Sequence, residues 1–158
     1  MKPKNFFVIA HNIRSLYNIG SIFRSADAFG VTKIFLTGYS GVPNTALAIK
    51  RIAKTALGAE NFVAWEYKKS AVTLIKYLKK QYPKLTIIGL EKKLGAQNIK
   101  NCKVKNSFAL VLGEEVEGVS KNLLKNCDLL LEIPMYGKKE SLNVSVAFGI
   151  AAYSLTSK

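Results

Sequence analysis

Short apolar runs rich in Val, Ile and Phe alternate along the chain with stretches whose apolar residues recur every three or four positions. The first pattern suits strands buried on both faces and the second suits amphipathic helices. Their alternation predicts an α/β fold, with a mostly parallel sheet and helices on both faces. The spacing predicts strands over 5–10, 33–37, 62–66, 86–91, 108–112 and 129–133. Helices are predicted over 18–29, 45–57, 70–81, 120–126 and 141–155. No repeat, low-complexity tract or linker interrupts the series. At 158 residues, 49% of them hydrophobic, one domain over 1–158 is expected.

Two of the helices carry particular expectations. In the first, Ile19, Ile22, Phe23, Ala26 and Phe29 share one face, with Asn18 as the expected N-cap and Gly30 as the stop. Arg24 falls away from that apolar face, where an arginine is ordinarily solvated. The last helix has almost no polar side: Leu142, Val144, Val146, Phe148, Ile150 and Leu155 point in every direction. Such a helix needs cover all round. A second subunit is the expected cover, and burial beneath the sheet is the alternative. Ser141, Asn143 and Ser145 are expected to be buried at its start and to need hydrogen-bond partners.

Charge changes the picture. Twenty-four Lys and Arg against ten Asp and Glu give +14, a field that favours a polyanion such as nucleic acid. It is also uneven. Residues 1–106 hold nineteen basic and four acidic residues, whereas 107–158 hold five and six, so the first two thirds carry +15 and the last third −1. A polyanion-binding region beside a more neutral pocket is expected. Lys68, Lys76 and Lys80 are candidate RNA contacts, although lysines at this spacing also make an ordinary wet helix face. No apolar run approaches the roughly 18 residues of a membrane span, and the run over 6–10 is short for a signal-peptide core. A soluble, cytoplasmic protein is expected.

Several chemistries are disfavoured. There is no GxGxxG after the first strand and no GxxxxGK[ST], so the usual dinucleotide and P-loop signatures are missing. One histidine, His11, and two cysteines, Cys102 and Cys127, lack the spacing of a zinc site or disulfide framework. No metal is expected, and both cysteines read as reduced structural residues. Three polar, glycine-punctuated segments remain at predicted strand ends, where open α/β sheets bind ligands. The first, over 11–24, sets Asn12, Arg14, Asn18, Gly20 and Arg24 around a helix N-terminus, a setting that suits phosphate. The second, over 112–120, packs Glu114, Glu115 and Glu117 between a strand and a helix, with Ser120 as a sensible N-cap. The third, over 133–145, passes Pro134 and Gly137 before Ser141, Asn143 and Ser145.

These three segments, in this order, resemble the three motifs of the SpoU (TrmH-like) RNA 2′-O-methyltransferases of the SPOUT superfamily, and the likeness runs almost from end to end. The matching positions are Asn12, Asn18, Gly20 and Arg24 with 25–30; then Gly113 to Ser120; then Ile133, Pro134, Met135, Gly137 and 141–145. Glu114 departs from the family, which often has Asn or Ser there. The resemblance implies a C-terminal trefoil knot that forms the cofactor site, a homodimer, and methyl transfer from S-adenosylmethionine to a ribose 2′-hydroxyl of tRNA or rRNA.

By the same resemblance, Arg24 matches the residue that activates the ribose hydroxyl, either as proton acceptor or by orienting the substrate. Asn12, Glu115, Ser141 and Asn143 match active-site or RNA-positioning residues. Leu112, Gly113, Ile133, Met135, Ser141 and Leu142 would cradle the cofactor. Arg14, Asn18 and Arg24 join Lys68, Lys76 and Lys80 as expected RNA contacts. The appended RNA-binding domain of some relatives is expected to be missing. Two other readings stand beside this one: a basic RNA-binding protein without catalysis, and a metal-dependent nuclease using Glu114, Glu115 and Glu117. The nuclease lacks an acid near the first strand end, where a two-metal site would draw one.

Overall fold

Seven strands form one sheet in the order β3-β2-β1-β6-β4-β7-β5, and every neighbouring pair is parallel. The computed structural model describes residues 5–157. In chain order the elements are β1 (Phe6–His11), α1 (Leu16–Ala28), β2 (Lys33–Thr37), α2 (Ala46–Ala56), β3 (Trp65–Lys68) and α3 (Ala71–Gln81). There follow β4 (Thr86–Leu90), β5 (Gln97–Asn98), β6 (Phe108–Leu112), α4 (Lys121–Leu124), β7 (Leu129–Glu132) and α5 (Val144–Thr156).

Alternation along the strands divides the core into two layers. Phe6, Val8 and Ala10 of β1 face the layer built with α1, α2 and α5, whereas Phe7 and Ile9 face α3. Phe6 stacks on its neighbour Phe108 of β6 with ring centroids 4.3 Å apart, which fixes the β1–β6 register from the side-chain side. The insertion of β6 between β1 and β4 matters most for function. It brings the carboxyl ends of β1, β6, β4 and β7 side by side although they come from distant parts of the chain.

Several predicted boundaries move, each for a local reason. Helix α1 begins at Leu16, and its cap is Ser15, not Asn18: the Ser15 hydroxyl accepts the Asn18 backbone N–H at 3.2 Å. Strand β3 starts at Trp65 instead of 62, because Leu57 and Gly58 take left-handed conformations and a 3-10 turn over Ala59–Asn61 leaves Phe62 80% exposed. The expected helix over 120–126 shortens to α4. Two-residue β5 has no apolar run to announce it. Helix α5 begins at Val144, with Asn143 as its N-cap, so Ser141 and Asn143 are exposed and Ser145 half-buried instead of sealed in the core. Only part of α5 is covered within the chain. Phe148, Ala151, Ala152 and Leu155 are buried, while Val146, Ile150 and Tyr153 form an exposed apolar row.

Neither cysteine is in a disulfide. Burial, reinforced by the Asp128 charge, pushes the Cys127 thiol up to about 11, so it stays protonated at neutral pH and is a poor nucleophile. No helix among the described residues is long and apolar enough to cross a membrane.

Candidate active site

At the carboxyl ends of β4, β6 and β7 lies a cleft of about 420 Å³. Its apolar lining comes from Leu90, Leu112, Ile133, Met135 and Leu142, and Gly113 and Ser141 complete the contact with the loops. All six residues expected to cradle the cofactor therefore line one cleft, although β6, the loop after β7 and the approach to α5 are separate in sequence. Carboxylates of Glu91, Glu114, Glu115, Glu117 and Glu140 stand around it. Among the described residues no three His, Cys, Asp or Glu side chains are grouped as a metal-ligand set, so the acids of the 113–118 loop do not converge as the nuclease reading requires.

The loop after β6 owes its shape to two glycines. The Gly118 N–H donates to the Glu114 carbonyl at 3.0 Å, closing 113–118 into a tight turn. A side chain on Gly113 would land on the Gly118 and Val119 backbone. Gly118 has φ +66°, and a side chain there would collide with the Glu91 carboxylate. Glu91 in turn accepts the Val119 N–H at 2.8 Å. It thus pins the loop to the end of β4, a role that the three-segment reading missed. The available signal was a carboxylate closing an apolar strand at the sheet's ligand-binding end.

A hydrogen-bond relay joins the three polar segments. The Asn18 carboxamide N–H donates to Glu115 at 2.7 Å, and that of Asn143 donates to the Asn18 carboxamide oxygen at 3.1 Å. The Asn143 oxygen accepts both the backbone N–H and the hydroxyl of Ser145, at 2.9 and 2.6 Å, so Asn143 caps α5 while holding α1. Asn143 and Ser145 thus find the partners expected of them, in each other and in Asn18.

Other predicted site residues stand apart. Asn12, at φ 58° in the left-handed region that Asn tolerates, accepts the Tyr39 N–H with its side-chain oxygen at 2.9 Å and fastens the β1 and β2 ends together. Arg14 is exposed, with its guanidinium 5.4 Å from the centre of the Tyr39 ring. Arg24 is exposed on α1, six residues or about 9 Å along the axis from Asn18, and lies outside both the relay and the cleft lining. Lys68 pairs with Glu66 at the end of β3, and Lys76 and Lys80 are exposed on α3, in the layer opposite α1 and α5.

His11 closes β1, with its Nδ1 2.9 Å from the Thr37 hydroxyl. Burial holds its imidazole below the ordinary 6.5. Between the folded value and 6.5 the unfolded chain therefore binds more protons than the folded one. The stability from keeping His11 neutral is complete above about 6.5 and falls as the pH drops through that window. Urea midpoints of the wild type should fall more between about pH 7.5 and pH 5 than those of His11→Gln; equal falls would show that His11 makes no such contribution.

Comparison with known proteins places this geometry in a family. Residues 5–153 match the SpoU rRNA methylase family. The 23S rRNA (guanosine-2′-O-)-methyltransferase RlmB of Vibrio vulnificus is 31% identical over 146 residues, which are 92% of this chain and 56% of that protein. The chain therefore spans little more than half the length of this relative. The Aquifex aeolicus TrmH/SpoU tRNA modifying enzyme superposes with a TM-score of 0.84 at 27% identity, over 97% of this chain and 74% of that one. The same fold occurs in AviRb of Streptomyces viridochromogenes, solved in complex with AdoMet, with a TM-score of 0.86 at 22% identity over 98% of this chain and 60% of that one. A match across nearly the whole described chain, with three motifs meeting at one sheet end, makes this chain a member of the SpoU rRNA methylase family.

Proposed function

We propose that residues 1–158 are a single SpoU-type methyltransferase domain that moves a methyl group from S-adenosylmethionine to a ribose 2′-hydroxyl of tRNA or rRNA. One observation carries the reading: the six residues Leu112, Gly113, Ile133, Met135, Ser141 and Leu142 meet in one cleft at the carboxyl ends of the strands. The cleft suits the cofactor chemically. Its apolar floor accepts an adenine face, Gly113 marks where backbone must come close, and the surrounding carboxylates complement sulfonium and ammonium charge. S-adenosylmethionine supplies an electrophilic methyl group on sulfonium when bound. The protein's task is to place the hydroxyl in line with it and to remove the hydroxyl proton.

In this reading Glu115, Asn18 and Asn143 form the hydrogen-bonded edge against which the ribose is positioned, with Ser141 beside it. Asn12 acts indirectly, by holding the loop at the β1 end. Arg24 takes or orients the hydroxyl proton. Because arginine ordinarily stays protonated, orientation through a phosphate or the ribose is the better-supported role. No metal takes part. Arg14, Asn18, Arg24, Lys68, Lys76 and Lys80 supply RNA contacts, and each lysine–phosphate contact should steepen log affinity against log salt by roughly 0.7 to 0.9.

The domain works as a homodimer in the cytoplasm, with the exposed row of Val146, Ile150 and Tyr153 as the contact. Within one chain Arg24 stands outside the cleft lining, so a second copy against α5 is the natural way to complete the site. A trefoil knot in the last third accompanies this fold. Sedimentation at micromolar concentration should give about twice 17.4 kDa. A clean monomer would remove the composite site.

Calorimetry with S-adenosylmethionine, joined to a map of 2′-O-methylated riboses in cells with and without the gene, tests the function. Cofactor binding and at least one lost methylation are expected. RNA binding without cofactor binding would establish instead the non-catalytic RNA-binding protein.

A further inference from the structure

A second groove, of about 540 Å³, runs along the other face of the sheet, between α3 and the β2–β3 edge. Phe7 and Phe35 form its floor. Tyr82 lies at one end with its ring centroid 5.2 Å from that of Phe7, and Lys33 lies across Phe35 with its ammonium 5.4 Å from the ring centre. Thr73, Tyr77 and Gln81, four residues apart, make the helical wall, and Tyr77 is 56% exposed. Lys76 and Lys80 each precede a member of that stripe and form a parallel one on the outer shoulder of α3. Lys68 and Lys69 stand where the groove opens at the carboxyl end of β3. Glu66 is the single acid among the lining residues, and Lys33 and Lys68 both bind it, so Lys69, Lys76 and Lys80 leave the rim positive.

We propose that this groove binds a single-stranded segment of the RNA that flanks the methylated nucleotide, with a base against Tyr77 and phosphates along Lys69, Lys76 and Lys80. The proposal rests on the reading of the protein as an RNA enzyme. Aromatic rings bordered by a lysine stripe are the combination that takes single-stranded nucleic acid, because every base offers a face to stack and every phosphate a charge. An acidic peptide would satisfy the lysines but leave the exposed ring without a planar partner. The groove lies three to four strand positions from the cleft, about 14 to 19 Å at 4.8 Å per strand, so a neighbouring nucleotide and not the modified one occupies it.

The test uses the full chain and a 12-residue oligouridylate carrying 5-iodouridine. Tyr77→Ala should weaken oligonucleotide binding about 5- to 100-fold. Tyr77→Phe should retain it, Lys80→Glu should weaken it with a shallower salt dependence, and the photo-cross-link should map to the groove. S-adenosylmethionine affinity and circular dichroism should not change in any of these variants. Unchanged affinity in folded Tyr77→Ala, or a cross-link elsewhere, overturns the proposal. So does equal competition by polyglutamate, which would leave only a charge effect, or a change in sedimentation, which would assign the groove to a second copy. A wild type that cross-links in the groove yet binds no S-adenosylmethionine would defeat the methyltransferase reading and leave the groove standing.

Discussion

Arg24→Ala should keep its fold, its subunit state and its S-adenosylmethionine affinity while losing methyl transfer by about 100-fold or more, the scale for a positioned group that acts on a proton. Folding is spared because Arg24 is exposed on α1, whose core contacts come from Ile19, Ile22, Phe23 and Ala26. Cofactor binding is spared because Arg24 lies outside the cleft lining. Arg24→Lys separates two roles. Lysine keeps the charge but lacks the planar fork that grips a phosphate or carboxylate in a fixed direction. Recovery of most turnover by lysine would reduce the residue to electrostatic attraction. A lysine variant as inactive as alanine, with cofactor still bound, would establish that guanidinium geometry is needed. Wild-type turnover in Arg24→Ala would return Arg24 to the surface.

Gly113→Ala should damage the cleft from within. The added methyl group meets the backbone of Gly118 and Val119, which cannot rotate aside as a side chain would. The 113–118 loop must therefore move, at a cost of about 1 to 3 kcal/mol in urea unfolding, the usual range for overpacking. Since Leu112, Gly113 and Glu115 all border the cleft, the same shift should weaken S-adenosylmethionine binding by about tenfold or more, equivalent to roughly 1.4 kcal/mol. Gly137→Ala is the matched control. A side chain at Gly137 meets nothing within 4 Å, and the substitution should stay within about 0.5 kcal/mol of wild type. Equal behaviour of the two variants would show that the close approach at Gly113 is not what shapes the loop.

The folded site contains relations that no local pattern could carry. In the sequence, Asn18, Glu115 and Asn143 read as a helix N-cap, a helix-leading acid and a buried amide; their hydrogen bonds span 97 and 125 residues of chain. Glu91 ended an apolar run and gave no sign that it would receive the Val119 N–H. Asn12 carried the family's motif, yet its side-chain oxygen is committed to Tyr39. The groove beside α3 had a trace in the spacing of Lys76 and Lys80, but Phe35 and Tyr82 joined it only through the packing of α3 on the sheet.

Periodicity alone was enough to read the alternation of strands and helices, the apolar stripe of α1, the exposure of Arg24 and the all-round apolar character of α5. Side-chain burial is decided residue by residue, with a period of two in strands and about 3.6 in helices, so it leaves a local record. The three motifs likewise marked the family and six of the residues that line the cleft. Tertiary structure decided the rest. Strand order, the meeting of Asn18, Glu115 and Asn143, and the separation of Arg24 from the cleft depend on which distant segments become neighbours. That depends on crossovers between parallel strands, and a crossover is a property of the whole chain that no window of sequence contains.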